Sequence, residues 1–242
     1  MNELILSIET ATLAGSICLT RGSELLAETS GDPKVSHSNT LLSEIDQLLR
    51  NANLSLDDVQ FFAVAAGPGS FTGLRIGIAT IKALAETLNR PCVGIPTLAA
   101  IAHAAGPSEH TLALLPAGRG EVFAQSFSVS ASGGTKPLDE AAHLPPLRTL
   151  DQYKEVRDLM LAGEGASAHL EKFKDWASQR GLELKDSAST RSGWRVAGIE
   201  TKLAFHVSQL ALERINAGHV DQPDALQAIY VRPSDAELKK TA

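Results

Sequence analysis

The residues best suited to bind a ligand lie in one glycine-rich run, AAGPGSFTGLRIG, from Ala65 to Gly77. Its glycines fall between a continuous apolar segment and a long helical pattern. A helix N-terminus there would present free N–H groups and a positive dipole end to an anion. The sequence therefore allows phosphate binding at this run. The candidate nucleotide or phosphate contacts are Gly69, Ser70, Thr72 and Gly73.

The run nevertheless satisfies none of the standard motifs. It lacks the lysine of GxxxxGK[ST], and Thr72 stands where the third glycine of GxGxxG would follow Gly67 and Gly69. A GxSxG elbow on Ser70 would need glycine where Pro68 and Thr72 stand. The glycines could equally serve a tight turn and a close approach of helix to strand, so both interpretations stay open.

Acidic, histidine and cysteine residues elsewhere form no recognisable catalytic set. Glu9, in SIETAT, could hold Mg²⁺ through water, but the segment lacks a glycine to admit phosphate, and a structural acid is favoured. His103 and His110 are separated by a Gly-Pro break that removes any shared helical register. Cys18 and Cys92 stand alone in apolar runs, as buried cysteines do. We therefore expect no catalytic residue, no metal and no cofactor.

Composition narrows the class further. The 242 residues are 43% apolar, which is enough for a real core, and carry a formal net charge of -6. A negative chain is poorly suited to neutralise many phosphates, so an RNA substrate would have to be held by another protein. The start, MNELILSIETA, has no basic segment followed by an apolar one, and no stretch reaches the about 20 apolar residues of a membrane span. The sequence therefore predicts a cytoplasmic protein.

The elements that would position these residues follow from their spacing. Three strand-like segments from Leu4 to Ser30, with turns at Gly15 and Gly22, predict an antiparallel meander. Leucine and isoleucine at helical spacing predict a helix from Ser36 to Arg50. The later elements of this half are a buried strand at Phe61 to Gly67, a helix at Thr72 to Asn89, the strand PCVGIP and a helix at Thr97 to Ala105. This order predicts an α/β protein of the ribonuclease H-like fold found in actin-like ATPases.

A second half restarts at Thr111 with TLALLPA, and Gly120 to Val129 is the strand expected to pair with it. The later elements are an irregular connection at Ser130 to Thr149, a strand in LMLAGEGA, and helices at Ala166 to Arg180 and Ile199 to Ala217. We expect two lobes, residues 1–108 and residues 109–242, the second being a smaller and degenerate copy.

The helix from Thr72 to Asn89 is apolar nearly all round, with three charged residues. A helix packed on one sheet needs an apolar stripe of only about 100°, so the surplus predicts a subunit interface. Gly73 and Gly77 would let a partner's backbone approach closely, unless the chain's own neighbouring helix fills that space. The candidate partner-interface residues are Leu41, Leu42, Ile45, Leu49, Gly73, Leu74, Gly77, Ile78, Ile81 and Leu84.

In these residues the chain resembles the TsaB (YeaZ) family of tRNA threonylcarbamoyladenosine biosynthesis proteins. The resemblance rests on LSIETAT, HSNTLLSEIDQLL, AAGPGSFTGLRIGIATIKALA, PCVGIPTLAAIA, RGEVFAQ, LAGEGA and YVRP, in that order. These segments cover most of the first 125 residues and scattered points beyond. The GPGSFTGLR block is specific to this family and its catalytic relative TsaD, whereas LAGEGA or YVRP alone carries little.

The resemblance implies a role in tRNA modification. A separate enzyme would make threonylcarbamoyl-adenylate from threonine, bicarbonate and ATP, and TsaD would transfer the group to the adenosine 3′ of the anticodon. This chain would be the non-catalytic scaffold that TsaD requires, together with the ATPase TsaE. The helices at Ser36 to Arg50 and Thr72 to Asn89 would pair with TsaD or, without it, with a second copy in a homodimer.

The chain departs from its relatives at two points. Relatives commonly read close to DARRGEVY where Pro116 to Phe123 read PAGRGEVF, without the aspartate. TsaD holds its metal with two histidines at helical spacing, whereas here His37 is followed by Leu41 four residues on. Two other hypotheses remain: an actin-fold ATPase or small-molecule kinase using the loop from Gly67 to Gly73, and a less favoured metallopeptidase.

Overall fold

The computed structural model describes residues 2–31, 37–190 and 192–231, which form a mixed α/β protein. The strands are β1 (Leu4–Glu9), β2 (Ser16–Arg21), β3 (Glu24–Ser30), β4 (Phe61–Gly67), β5 (Cys92–Pro96), β6 (Ser108–Pro116), β7 (Val122–Val129), β8 (Thr135–Pro137), β9 (Ala142–Leu144), β10 (Leu159–Ala162), β11 (Lys185–Asp186) and β12 (Trp194–Val196). The helices are α1 (His37–Asn51), α2 (Phe71–Thr87), α3 (Thr97–Ala105), α4 (Pro146–Asp151), α5 (Glu164–Ala168), α6 (Leu170–Ser178) and α7 (Leu203–Asn216). A short 3₁₀ turn lies at Leu56–Asp58.

The first sheet has the order β3-β2-β1-β4-β5. β1, β2 and β3 are antiparallel, and β4 and β5 run parallel to β1. The two hairpin turns contain Gly15 and Gly22, whose φ angles of 62° and 57° lie in the left-handed region that favours glycine. The predicted meander is confirmed. β4 is buried almost throughout because strands flank it on both sides and helices cover the sheet, as its unbroken apolar run predicts.

Helices cover both faces of this sheet. Alternate residues of β1 and β2 pack with the apolar side of α1 and α2, where Ile45, Ile78 and Ile81 lie in one buried cluster. α7 contacts β1, β2, β4 and β5 on the other face. There the Thr20 and Ser208 hydroxyls lie 2.6 Å apart, so a polar contact fixes the register of α7 on the sheet.

The second sheet repeats the same strand order. Its path is β11-β12-β10-β6-β7-β8, and β9 pairs with the same edge of β7. β6, β7 and β8 are antiparallel, whereas β10, β12 and β11 run parallel to β6. An antiparallel meander continued by parallel strands therefore occurs twice, which confirms the predicted α/β actin-like fold. The helices between the parallel strands are short in this half, in keeping with a degenerate copy.

The chain divides into two compact units that differ from the expected lobes. The first unit combines the residues up to Ala100 with Thr201–Ile229, and the second holds Ile101–Glu200 with residues 230 and 231. The expected lobes, residues 1–108 and 109–242, missed the return of α7 to the first sheet, where the Ala204 N–H donates to Ser16 Oγ at 2.9 Å. That hydrogen bond joins residues 188 positions apart, beyond the reach of local patterns.

Smaller differences concern the second half. The helix predicted at Ala166 to Arg180 is two helices, α5 and α6, because His169, at φ -117° and ψ 16°, ends one and begins the other. The segment expected to be irregular, Ser130 to Thr149, contains β8, β9 and most of α4. β11 and β12 were not predicted. Ser36, the expected start of α1, and the charged tail beyond Pro233 lie outside the described residues.

Candidate functional site

The glycine-rich loop is held against the chain's own first hairpin. β4 ends at Gly67, and Ser70 caps α2 by accepting a hydrogen bond from the Gly73 N–H at 3.2 Å. The Ser70 N–H donates to the Ala11 carbonyl at 2.8 Å, and the Thr10 hydroxyl donates to the Gly73 carbonyl at 2.8 Å. These bonds tie the start of α2 to the turn between β1 and β2.

The glycines of this run make that close approach possible. A Cβ at Gly73 would overlap the Thr10 carbonyl oxygen, and a Cβ at Gly77 would overlap the Thr10 hydroxyl. A Cβ at Gly69 would lie 2.6 Å from the Ala11 Cβ. The space predicted for a partner's backbone at Gly73 and Gly77 is therefore filled by the chain's own β1–β2 turn. The expected alternative to a partner was the chain's own neighbouring helix. A hairpin turn of the chain fills this space instead.

The same geometry bears on the predicted phosphate contacts, Gly69, Ser70, Thr72 and Gly73. A main-chain carbonyl oxygen, that of Thr10, lies against the first turn of α2 beside Gly73. Ser70 already accepts the Gly73 N–H, while Thr72 is exposed. An anion approaching this side of the turn would meet a carbonyl oxygen rather than free N–H groups. The arrangement favours the structural interpretation of the glycines over the phosphate-binding one.

Glu9 is fully buried and engaged by its own turn. Its Oε1 accepts a hydrogen bond from the Thr12 N–H at 2.7 Å, and its Oε2 accepts one from the Thr12 hydroxyl at 2.7 Å. Both carboxylate oxygens thus close the turn after β1. Across residues 2–31, 37–190 and 192–231, no group of three or more His, Cys, Asp or Glu side chains is placed to hold a metal ion.

The two cysteines are poor nucleophiles. Burial raises the pKa of the Cys18 thiol well above its usual value. Burial, and then the nearby Asp221 carboxylate, raises the pKa of Cys92 to about 11. Both thiols therefore stay protonated near neutral pH. Because the thiolate is the reactive form, these side chains act as buried apolar groups.

Most of the predicted partner-interface residues lie in the core of the first unit. The buried members are Leu41, Ile45, Leu49, Gly73, Leu74, Gly77, Ile78 and Ile81. They pack between the sheet and the two helices, so a charge placed on Ile81 would unfold the unit rather than test an interface. Leu42, which is 64% exposed, and Leu84, which is partly exposed, are the two that reach the surface.

A shallow apolar groove remains between α1, α2 and the 3₁₀ turn. We call it the α1–α2 groove; its volume is about 430 Å³, and it is lined by Leu42, Leu56, Ala79, Thr80, Ala83, Leu84, Thr87 and Leu88. Two of the exposed α2 residues here, Ala79 and Ala83, are small and lie four positions apart. The spacing of these two alanines could have indicated a close-packing surface in the sequence. The prediction was placed on Gly73 and Gly77 instead, which have the same spacing.

No helix among residues 2–31, 37–190 and 192–231 is both long and apolar enough to cross a membrane.

Comparison with known proteins places these features in context. Residues 32–186 match the family model described as TsaD, tRNA N6-adenosine threonylcarbamoyltransferase. The tRNA threonylcarbamoyladenosine biosynthesis protein TsaB of Escherichia coli K12 is 30% identical over 186 residues, which are 75% of this chain and 78% of that one. The TsaB protein of Bacillus subtilis 168 is 26% identical over 180 residues, 74% of this chain and 78% of that one. YeaZ from Pseudomonas aeruginosa superposes with a TM-score of 0.76 at 24% identity, covering 94% of this chain and 99% of that chain, and so has the same fold.

Proposed function

Because this chain belongs to the TsaB (YeaZ) family of tRNA threonylcarbamoyladenosine biosynthesis proteins, we propose that it acts in that modification as a non-catalytic subunit. Its task is to bind and activate a TsaD-type transferase, which moves the threonylcarbamoyl group to the adenosine 3′ of the anticodon. The match of residues 32–186 to the transferase family model supports a related fold in the two proteins. Chains of related fold can pair through equivalent surfaces about an approximate two-fold axis, as identical subunits do.

The α1–α2 groove is the observation that carries this proposal. Leu42 stands 64% exposed beside a groove whose walls are mostly alanine, leucine and threonine methyl groups. Because Ala79 and Ala83 project little from α2, a second helix can approach that ridge closely. Burying one leucine side chain fully is worth about 1.5–3 kcal/mol, so a partner helix over this groove gains affinity from a few such contacts.

This chain is proposed to carry out no chemistry itself. Both carboxylate oxygens of Glu9, at the end of β1, accept hydrogen bonds from Thr12. The Thr10 carbonyl oxygen lies beside the first turn of α2, at the predicted phosphate-binding position. These contacts argue against the ATPase or kinase alternative. We assign the catalytic groups to the transferase.

The same surface is proposed to serve self-association. Without the transferase, two copies of this chain would pair through their α1–α2 grooves as a homodimer, and the transferase would displace one copy. A TsaE-type ATPase would join the assembled pair. The net charge of -6 offers little attraction for phosphates, so tRNA contact is proposed to be indirect.

The test measures binding of a purified TsaD-type transferase to three variants by titration calorimetry. Leu42→Glu places a charge at the mouth of the groove, and we expect affinity to fall about 30-fold or more. Ala83→Leu keeps the surface apolar and the helix propensity high but adds bulk, so a loss of similar size would indicate close helix packing. Leu147→Glu is the control, since this leucine is also an exposed helical residue, at 40%, but lies in the second unit.

Folding of each variant is checked by calorimetric melting, and homodimer mass by light scattering. If Leu42→Glu and Ala83→Leu both bind the transferase as the unchanged chain does, the groove is not the interface. A steady ATP turnover of about 1 per second by the purified chain, a typical enzyme rate, would instead favour the ATPase alternative.

A further inference from the structure

Three parts of the chain pack against α2, and the third is a segment near the end of the described residues. One side packs on the first sheet, and a second faces α1 across the α1–α2 groove. The side facing away from that groove carries Lys82, which meets residues 219–229. We call residues 219–229 the strap.

The strap is anchored to the first sheet at both ends. Near its start, the Cys92 N–H donates to the Asp221 carbonyl at 3.1 Å and the Asp221 N–H donates back to the Cys92 carbonyl at 2.8 Å. Near its end, the Ile229 N–H donates to the Ala66 carbonyl at 2.7 Å. Leu226 is buried between these points and packs closely on Gly94 of β5, where a Cβ would lie 2.8 Å from the leucine side chain.

Between its anchors the strap meets α2 through the buried Leu226, which shares a hydrophobic cluster with Ile81 of α2, and through Lys82. The Lys82 ammonium donates to the main-chain carbonyls of Asp224 and Leu226, both at 3.2 Å. Towards the C-terminal end of α2 the strap and the helix separate, leaving an open groove of about 460 Å³ lined by Glu86, Asn89 and Arg90 on one side and by residues 222–224 on the other. Packed side chains do not fill that stretch, and the two lysine hydrogen bonds join the helix to the strap beside it.

We propose that Lys82 is a positioning residue, which ties the strap to α2 and so sets the width of the α1–α2 groove on the opposite flank. This inference rests on the proposed function of that groove. α2 lies between α1 and the strap, so loss of the tie lets the helix shift away from the strap and towards α1. The groove then no longer matches a partner whose shape was fitted to the tied position. Lysine suits this task because it carries three donors on a long, partly buried stem and can reach carbonyls 142 and 144 positions away.

The test compares Lys82→Met, Lys82→Arg and a control, Lys174→Met, in full-length protein. Lys174 is an exposed lysine of α6 in the second unit, where it pairs with Glu171 at 2.8 Å. Affinity for the TsaD-type transferase is measured by titration, the melting temperature by calorimetry, and protection of individual amides by hydrogen exchange. Lys82→Met removes both donated hydrogen bonds without adding charge or bulk at the groove.

We expect Lys82→Met to weaken transferase binding about tenfold, the equivalent of one charged hydrogen bond, and Lys82→Arg to restore it because arginine can still donate to both carbonyls. The Ile229 and Asp221 amides should exchange faster in Lys82→Met, while amides of the second unit stay unchanged. Lys174→Met should match the unchanged chain in every measurement.

The outcomes separate this inference from the function on which it rests. Normal binding by Lys82→Met, when Leu42→Glu binds weakly, would overturn the positioning role and leave the interface standing. Normal binding by both would overturn the interface itself. Weak binding by Lys82→Met that Lys82→Arg fails to restore would also count against the tie. If Lys82→Met does not fold, Lys82→Ala, which also removes both donated hydrogen bonds, takes its place under the same criteria.

Discussion

Replacing Gly77 by alanine should reveal which surface the glycines of α2 serve. A Cβ at Gly77 would overlap the Thr10 hydroxyl, but it would lie 3.5 Å from the Thr10 Cβ and 3.4 Å from the Val64 Cγ2. The clash therefore arises from one atom, which Thr10→Ala removes. At Gly73 the obstacle is the Thr10 main-chain oxygen, so no side-chain change at Thr10 relieves it.

The expected changes in the free energy of unfolding follow from three effects. Overpacking a tight contact costs about 2 kcal/mol, and alanine in place of a helical glycine returns about 1 kcal/mol, so Gly77→Ala should destabilise by about 1 kcal/mol. Thr10→Ala loses the 2.8 Å hydrogen bond to the Gly73 carbonyl, which is worth about 1 kcal/mol. In the Thr10→Ala background the clash is gone, and Gly77→Ala should stabilise by about 1 kcal/mol, a coupling of about 2 kcal/mol.

The assay is urea unfolding of the isolated chain followed by far-ultraviolet circular dichroism, since both tryptophans, Trp176 and Trp194, lie in the second unit. The four proteins of the cycle are measured together, with Thr10→Ala/Gly73→Ala as a control that should gain nothing. If Gly77→Ala has the same effect in both backgrounds, within about 0.5 kcal/mol, the glycine does not pack on Thr10 and the reasoning fails.

Two further predictions concern carboxylates. Burial raises the pKa of Glu164, so its ionisation in the folded state is unfavourable: its contribution to stability is fully present below the unfolded pKa, about 4.3, and is lost as the pH rises through the folded value. Glu164→Gln should therefore raise the urea midpoint at pH 7, read from tryptophan fluorescence, and the difference should vanish below about pH 4.3; an equal difference at both pH values would contradict this. Glu9→Gln keeps an acceptor for the Thr12 N–H and should leave stimulation of the transferase unchanged, whereas loss of about 100-fold or more would identify a catalytic acid.

The elements of the first half could be predicted because their signals are local. Each element is indicated by residues within it or next to it. Gly15 and Gly22 mark the hairpin turns, an unbroken apolar run marks β4, and helical spacing after Ser70 marks α2. The order of these elements, a meander followed by alternating helices and strands, was then enough to predict the fold. The short strands β11 and β12 carry two or three residues each, too few for any period to emerge.

The site was harder to predict because an apolar residue on a helix does not reveal what covers it. Ile81 and Leu84 look alike in sequence, yet one is fully buried on the sheet and the other lines the surface groove. Gly73 meets Thr10 across 63 positions, and Lys82 meets Leu226 across 144. Such contacts depend on tertiary packing, so the sequence could suggest that α2 has surplus apolar surface but not which residues form it.

The most direct test of the central claim is the rate of threonylcarbamoyladenosine formation by a reconstituted TsaD-type transferase as this chain is titrated into it. We predict that the rate rises with added chain and saturates near one copy per transferase, and that Leu42→Glu needs about 30-fold more chain to reach the same plateau. A rate that does not depend on this chain, or one that Leu42→Glu supports at the same concentrations, would contradict the account.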